Sequence, residues 1–161
     1  MHPRASALID LLRLEPHPEG RHFREIHRSS GTVQPGDGRS ERAAVTTIYF
    51  LLAAGQHGRW HRVRSDEIWH FYEGGPLELL VGSPLLDRVE RLVVSSPAGP
   101  GQLVHVVPAG WWQAARPQGA YSLVGCTVAP GFEFADFSFL RDDLNALGAL
   151  ERLNPEFVML A

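Results

Sequence analysis

A histidine and a carboxylate lie six residues apart in a segment that is bounded by two glycines. His61 and Glu67 stand between Gly55 and Gly74, and the intervening Arg64-Ser65-Asp66 is typical of a tight turn. We expect two antiparallel strands, 60–64 and 67–73, to pair as a hairpin around this turn. An imidazole and a carboxylate that meet inside a protein indicate either a metal site or an acid–base pair.

Strand parity predicts which neighbours share the interior with His61, because successive side chains of a strand point to opposite faces. If His61 points inward, the residues on its side of the two strands are Val63, Glu67, Trp69 and Phe71. His70 falls on the opposite face. Tyr49, on the preceding strand 45–52, is expected to line the same interior. Tyr49, or alternatively Tyr121, could supply an acid opposite His61.

The elements that must position these residues are short strands separated by turns. Strands are predicted by β-branched and aromatic runs between glycine, proline and polar turns. They cover 23–27, 45–52, 60–64, 67–73, 77–81, 89–95, 103–107, 111–116 and 122–129. Helical spacing of leucines predicts terminal helices at 4–14, ended by Pro16 and Pro18, and at 141–150. The pattern indicates one all-β domain over residues 1–161, with an antiparallel sandwich or barrel at about 20–137.

Composition excludes several classes of function. The formal net charge of -3 gives no basis for nucleic-acid binding. The chain has no lysine, which excludes Schiff-base and covalent pyridoxal-phosphate chemistry. Cys126 is the single cysteine, so no intrachain disulfide can form, and we expect a buried thiol and a cytoplasmic location. No apolar run is long enough to span a membrane.

The segment resembles the first motif of the cupin superfamily, in which a glycine, two histidines, a glutamate and a second glycine follow at fixed intervals. Gly55, His61, Glu67 and Gly74 match this motif, and Val63 stands at the position of the second histidine. The second cupin motif is matched by Gly101, Pro108 and Gly110. Gln113 stands where that motif has its histidine. The resemblance implies a cupin jelly-roll barrel with short N- and C-terminal helices.

A closer resemblance, to the DUF985 (Cupin_5) group of cupins, covers most of the chain. It rests on the segments 16–20, 47–51, 60–63, 66–71 and 125–132. The group consists of small jelly-roll proteins similar in fold to the dTDP-sugar epimerases, and most lack an assigned reaction. Membership implies a homodimer and a pocket inside the barrel.

Two readings of the site stay open. His61, Glu67 and the amide oxygen of Gln113 could hold one divalent metal ion, although Val63 cannot coordinate it. Alternatively, no cofactor is present, and His61, Glu67 and Tyr49 move protons. In both readings Gln113, Trp69, Phe71 and Val63 contact the small-molecule ligand.

The sequence therefore predicts a cupin-fold small-molecule enzyme without an assigned substrate. Its reaction would be an acid–base isomerisation or epimerisation of a carbohydrate-like or oxo compound. The alternatives are a metal-dependent cupin enzyme and a non-catalytic cupin that binds a small ligand.

Overall fold

The structure is a computed structural model that describes residues 1–16 and 21–161. The segment 16–20, one of those that carry the family resemblance, therefore falls outside the described residues except for Pro16, and so does the expected helix-ending Pro18. In the described part of the chain there are two α-helices, α1 (Pro3–Leu12) and α2 (Leu144–Leu153). The strands are β1 (Glu15–Pro16), β2 (His22–Arg28), β3 (Thr32–Val33), β4 (Arg42–Ala43), β5 (Thr46–Ala53), β6 (Gly58–Val63), β7 (Asp66–Gly74), β8 (Leu77–Gly82), β9 (Val89–Val94), β10 (Val104–Val107), β11 (Trp112–Pro117), β12 (Tyr121–Ala129) and β13 (Phe137–Phe139).

Two antiparallel sheets face each other. The first sheet has the strand order β1-β2-β5-β12-β7-β10, and the second has the order β13-β6-β11-β8-β9. The predicted all-β jelly roll with short terminal helices is confirmed. None of the described helices is long and apolar enough to cross a membrane.

One end of the space between the sheets is filled by aliphatic side chains. Leu52 and Val124 from the first sheet, and Leu77, Leu79 and Val94 from the second, are completely buried. Each such side chain stabilises the fold by about 1.5–3 kcal/mol through removal from water. The core therefore closes this end of the sandwich and leaves the other end for a cavity.

The terminal helices pack on the outer faces of the two sheets. Helix α1 buries Leu8 against Leu51 and Leu123 of the first sheet. Helix α2 buries Leu150 in a cluster with Trp60 and Trp112 of the second sheet. Both helices thus cover the apolar outer residues of strands whose inner residues face the core and the cavity.

Several element boundaries differ from the sequence prediction. Helix α2 begins at Leu144 rather than at residue 141, because the Asp143 side chain accepts a hydrogen bond from the Ala146 backbone N–H and caps the helix there. Residues 140–142 form a 3₁₀ turn instead. The prediction missed β13 and β1, and it treated the short hairpin β3–β4 as a loop.

The prediction that residues 60–64 and 67–73 pair as a hairpin is wrong. Strand β6 belongs to the second sheet and β7 to the first, and they do not pair. The short turn at residues 64–65 carries the chain from one sheet to the other. A tight turn requires only that the two strand ends lie close together. Here β6 pairs with β13 and β11 in one sheet, and β7 pairs with β12 and β10 in the other. The hairpin expected from residues 77–81 and 89–95 is confirmed as β8–β9.

Candidate functional site

A cavity of about 640 Å³ lies between the two sheets, toward the end that carries β13. Its wall is largely apolar and aromatic, formed mainly by Phe23, Ile48, Phe50, Val63, Trp69, Val128, Phe132, Phe137 and Phe139. Side chains that can hold charge or move a proton interrupt this wall: Arg21, Glu25, Arg28, His61, Glu67, Cys126, Glu133 and Arg141. This size suits a small-molecule ligand.

Gln113 links the two sheets next to the cavity, but it is not among the residues that line the cavity. Its Nε2 donates a 2.6 Å hydrogen bond to Oε2 of Glu67, and its Oε1 accepts a 2.8 Å bond from Nε1 of Trp69. Because the indole N–H can only donate, the amide oxygen must face Trp69, and the amide NH₂ must therefore face Glu67. The side chain predicted to face inward is almost completely buried, with 1% of its surface exposed.

Glu67 is a buried carboxyl group at the cavity wall. Its burial raises its pKa above the ordinary value of 4.5, whereas hydrogen bonds from Gln113 and Cys126 act in the opposite direction. Burial also raises the pKa of Cys126, as does the neighbouring carboxylate. Cys126 is therefore a protonated, buried thiol, as the sequence predicted, and burial shifts the ionisation of Glu67 toward its neutral form.

His61 lies on β6 in the opposite sheet, beside Gln113 in register on β11. Its Nδ1 is 2.7 Å from the carbonyl oxygen of Arg59, and its ring stacks on Phe137 at 5.1 Å between centroids. A carbonyl oxygen only accepts, so Nδ1 carries the proton and the lone pair of the neutral ring is on Nε2. His61 and Glu67 thus line one cavity from opposite sheets, with Gln113 next to both.

Tyr49 does not line the cavity, and the prediction of its position is wrong. It lies on the outer face of the first sheet, where its ring packs edge-on against Tyr72 at 5.8 Å. Ile48 and Phe50 line the cavity instead. Both faces of β5 are apolar, because α1 and Tyr72 contact the outer one, so the alternation in the sequence did not reveal which face was inner.

The remaining predicted ligand contacts divide into two groups. Val63 and Trp69 line the cavity. Phe71 packs against the core beyond the cavity lining, where β7 and β12 shift register between Leu123 and Val124. His70 pairs with Val104 and is not among the residues that line the cavity, as parity predicted.

The donor set at this site does not fit a metal centre. Val63 presents an alkyl group at one ligand position, and Gln113 turns its NH₂ rather than its oxygen toward Glu67. Within residues 1–16 and 21–161 no three His, Cys, Asp or Glu side chains gather as a metal-binding group would require. We therefore derive no chemistry through a bound metal.

Arg21 is a site residue that the sequence reasoning missed. Only 5% of its surface is exposed, its guanidinium carbon lies 5.5 Å from the centre of the Phe50 ring, and it lines the cavity. Burial and then the charge of Arg59 lower its pKa to about 10, so it remains a cation at neutral pH. Counting back by two from Phe23 on the strand would have placed it on the inner face.

The other arginines around the first motif take structural positions. Arg62 stacks on the Trp112 ring at 4.3 Å, and Arg64 donates to the backbone oxygen of Asp37. At the cavity rim, Arg28 is neutralised by Glu25 at 2.9 Å and by Glu133 at 3.0 Å. Of the arginines that line the cavity, Arg21 is buried, whereas the side chains of Arg28 and Arg141 are 38% and 43% exposed.

Sequence comparison then places this geometry in a family. Residues 6–140 match the Cupin_5 family, described as cupin superfamily (DUF985). The chain belongs to the cupin superfamily. This cupin is 30% identical to the uncharacterized protein YML079W of Saccharomyces cerevisiae over 163 residues, which is 90% of this chain and 80% of the yeast protein.

Two solved structures are similar to this cupin over nearly its whole chain. A hypothetical protein from Leishmania major has 32% identity and a TM-score of 0.80, covering 97% of this chain and 95% of that one. Protein SO0799 from Shewanella oneidensis has 31% identity and a TM-score of 0.83, covering 98% and 96%. The expected likeness to dTDP-sugar epimerases, the homodimer and the cytoplasmic location stay predictions.

Proposed function

We propose that this cupin is a small-molecule isomerase that moves a proton on an oxo compound without a metal ion. The observation that carries the proposal is the placement of His61 and the buried Glu67 on opposite walls of one largely apolar cavity. The environments of the two side chains differ, and this difference fits them to opposite roles in proton transfer.

His61 is the base in this proposal. Nδ1 donates a hydrogen bond to the carbonyl oxygen of Arg59, so Nε2 is the ring nitrogen that takes a proton from carbon in this proposal. Stacking on Phe137 fixes the ring orientation.

Glu67 is the acid. Burial favours its protonated form, which donates a hydrogen bond or a proton to the oxo oxygen as the carbon-bound proton moves to His61. For an oxo compound with a β,γ double bond, the product of this step is a dienol. His61 then gives its proton to the γ-carbon while the dienol hydroxyl returns its proton to Glu67, which yields the conjugated isomer and regenerates both residues.

The cavity wall favours an oxo compound over a polyhydroxylated sugar. A sugar in a closed pocket needs a partner for most of its hydroxyl groups, whereas the wall is dominated by side chains such as Ile48, Phe50 and Trp69. The outward position of Tyr49 also removes the tyrosine expected as the second acid of an epimerase. Of the reactions predicted from the sequence, we therefore retain the isomerisation of an oxo compound through an enol.

Deuterium incorporation tests the proposal. Incubation of the protein in D₂O with a panel of oxo compounds, followed by mass spectrometry, should show incorporation next to the oxo group. We expect His61→Asn and Glu67→Gln to reduce the rate by about 100-fold or more, the usual contribution of a positioned acid or base. His70→Asn, which changes a histidine outside the cavity lining, is the matched control and should keep full activity.

Equal rates in the wild type and both cavity variants would refute this assignment of roles. If a panel compound binds in the cavity with no incorporation above the buffer background, the non-catalytic ligand-binding cupin replaces the isomerase. These two results are distinguishable because binding is measured separately, through the fluorescence of Trp69 at the cavity wall.

A further inference from the structure

We propose that the segment 132–139 forms an aromatic subsite at the mouth of the cavity, which binds an aryl group at the far end of the oxo substrate. This segment contains four of the eight phenylalanines of the chain, and all four line the cavity: Phe132, Phe134, Phe137 and Phe139. The inference rests on the proposed function for the reacting end of the ligand, whereas recognition of the aryl end depends on these rings.

Phe134 marks the place where the cavity opens to solvent. It lines the cavity although 83% of its surface is exposed, whereas Phe132, Phe137 and Phe139 are half-buried. A single exposed apolar side chain is common on protein surfaces. Phe134, however, continues an apolar cavity wall, and a contiguous apolar surface of this kind is typical of a ligand-binding groove.

The backbone on both sides of Phe134 is fixed by buried or paired groups. On one side, Arg28 donates to the backbone oxygen of Phe132 at 3.2 Å and forms an ion pair with the following residue at 3.0 Å. On the other side, the buried carboxylate of Asp136 accepts a hydrogen bond from Arg42. The exposed ring is therefore presented at the mouth by a segment that is attached at both ends.

A row of rings leads from the reacting end of the cavity to Phe134. Phe137 stacks on His61, and its centroid lies 6.2 Å from that of Phe132, at an interplanar angle of 72°. Phe132 in turn lies 5.2 Å from Phe134, at 78°. These rings meet edge to face, the arrangement that favours a further aromatic partner over an aliphatic one. A ligand whose oxo group is at His61 and Glu67 would follow this row and place its far end at the mouth.

Two methyl ketones that differ only in their terminal ring, phenylhexanone and cyclohexylhexanone, test the subsite. We expect calorimetry to show that the wild-type protein binds phenylhexanone about 3- to 10-fold more tightly, because an aromatic pair adds to the burial of apolar area. The cyclohexyl ketone is at least as apolar, so burial by itself would not give this preference.

Phe134→Leu keeps an apolar side chain but removes the ring, and it should reduce the preference for phenylhexanone to about 2-fold or less. Because Phe134 is exposed, this change should not affect folding. Leu144→Ala is the control, since Leu144 is also exposed, at 79%, and is not among the residues that line the cavity. It should keep the wild-type preference.

Equal affinities of the two ketones for the wild type, or no measurable binding of either, would overturn the proposal. A preference that persists unchanged in Phe134→Leu would also overturn it, because the phenyl ring would then bind elsewhere in the cavity. In Glu67→Gln the preference should remain while deuterium incorporation is lost. A negative incorporation assay with an intact, Phe134-dependent preference therefore rejects only the isomerase, and equal affinities reject only the aromatic subsite.

Discussion

At the scale of single residues, Glu67 combines a buried position with contacts that act on its protonation in opposite directions. Burial raises its pKa, and the hydrogen bonds from Gln113 and Cys126 limit the rise. A carboxyl whose pKa is raised on folding binds its proton more tightly in the folded protein than in the unfolded chain. Its contribution to stability is therefore present below the unfolded pKa of about 4.5 and is lost as the pH rises through the folded value.

Replacing Glu67 by glutamine should remove this pH dependence. We expect Glu67→Gln to gain stability relative to the wild type as the pH increases from about 4 to about 8, because the wild type must ionise a buried group in this range. Urea denaturation across this range measures the difference in free energy of unfolding. If the free energies of unfolding of the two proteins changed in parallel with pH, burial would not raise the pKa of Glu67.

The two hydrogen bonds of Gln113 should contribute strongly to the free energy of unfolding. Gln113→Leu removes the partner of the Trp69 indole N–H and one of the two hydrogen bonds to the Glu67 carboxyl, which keeps that from Cys126. A buried group that loses a hydrogen-bond partner costs about 1–3 kcal/mol, so we expect a total loss of about 2–6 kcal/mol. Chemical denaturation measures this loss.

The matched control for this change is Gln118→Leu, because Gln118 is exposed. It should alter the free energy of unfolding by no more than about 0.5 kcal/mol. Equal effects of the two substitutions would contradict the role of Gln113 as the link between the sheets.

At the scale of elements, an ion pair connects helix α1 to strand β7, next to the face by which the helix packs on the sheet. Arg4 forms two bonds to Glu73, at 2.7 and 2.8 Å, and the hydroxyl of Tyr121 donates to the same carboxylate at 2.7 Å. Hydrogen bonding from Arg4, and then from Tyr121, lowers the pKa of Glu73 to about 2. The pair is half exposed, so screening by water makes its energy small.

Glu73→Gln should therefore cause a small loss of thermal stability that depends on pH. A carboxylate with a lowered pKa stabilises the folded state above its unfolded pKa, about 4.5, and this contribution disappears as the pH falls toward about 2. Melting curves should separate the variant from the wild type at neutral pH and converge in acid. A difference that persists at low pH would mean that packing, not charge, connects α1 to β7.

At the scale of the whole molecule, a buried ion cluster connects distant parts of the chain around the cavity. Asp136 accepts hydrogen bonds from Arg42 and, at 3.2 Å, from Arg39. The arginines belong to the segment 29–43 that contains β3 and β4, and Asp136 precedes β13. Since Phe137 and Phe139 of β13 line the cavity, this cluster holds one of the cavity walls in place.

Asp136→Asn leaves the buried guanidinium of Arg42 beside a neutral amide, whereas Arg39 keeps its ion pair with Asp37 at 2.8 Å. We expect a loss of about 3 kcal/mol or more in the free energy of unfolding, since removing one partner of a buried ion pair leaves uncompensated charge. Asp142→Asn is the control, because Asp142 is 72% exposed and lies 4.0 Å from Arg141. Similar effects of the two changes, measured by denaturation, would contradict a central role for the cluster.

Local sequence signals were sufficient to predict the fold class, most strands and the pair His61 and Glu67, because turn residues, alternation and motif spacing are local properties. The sheet to which each strand belongs could be read from the three-dimensional arrangement alone. It placed β6 and β7 in different sheets, Tyr49 outside and Arg21 inside. The sequence of a strand with two apolar faces does not indicate which face points inward. A turn, in turn, does not specify which strands pair with each other. These choices depend on what packs against each face, which is contributed by residues far away in the chain.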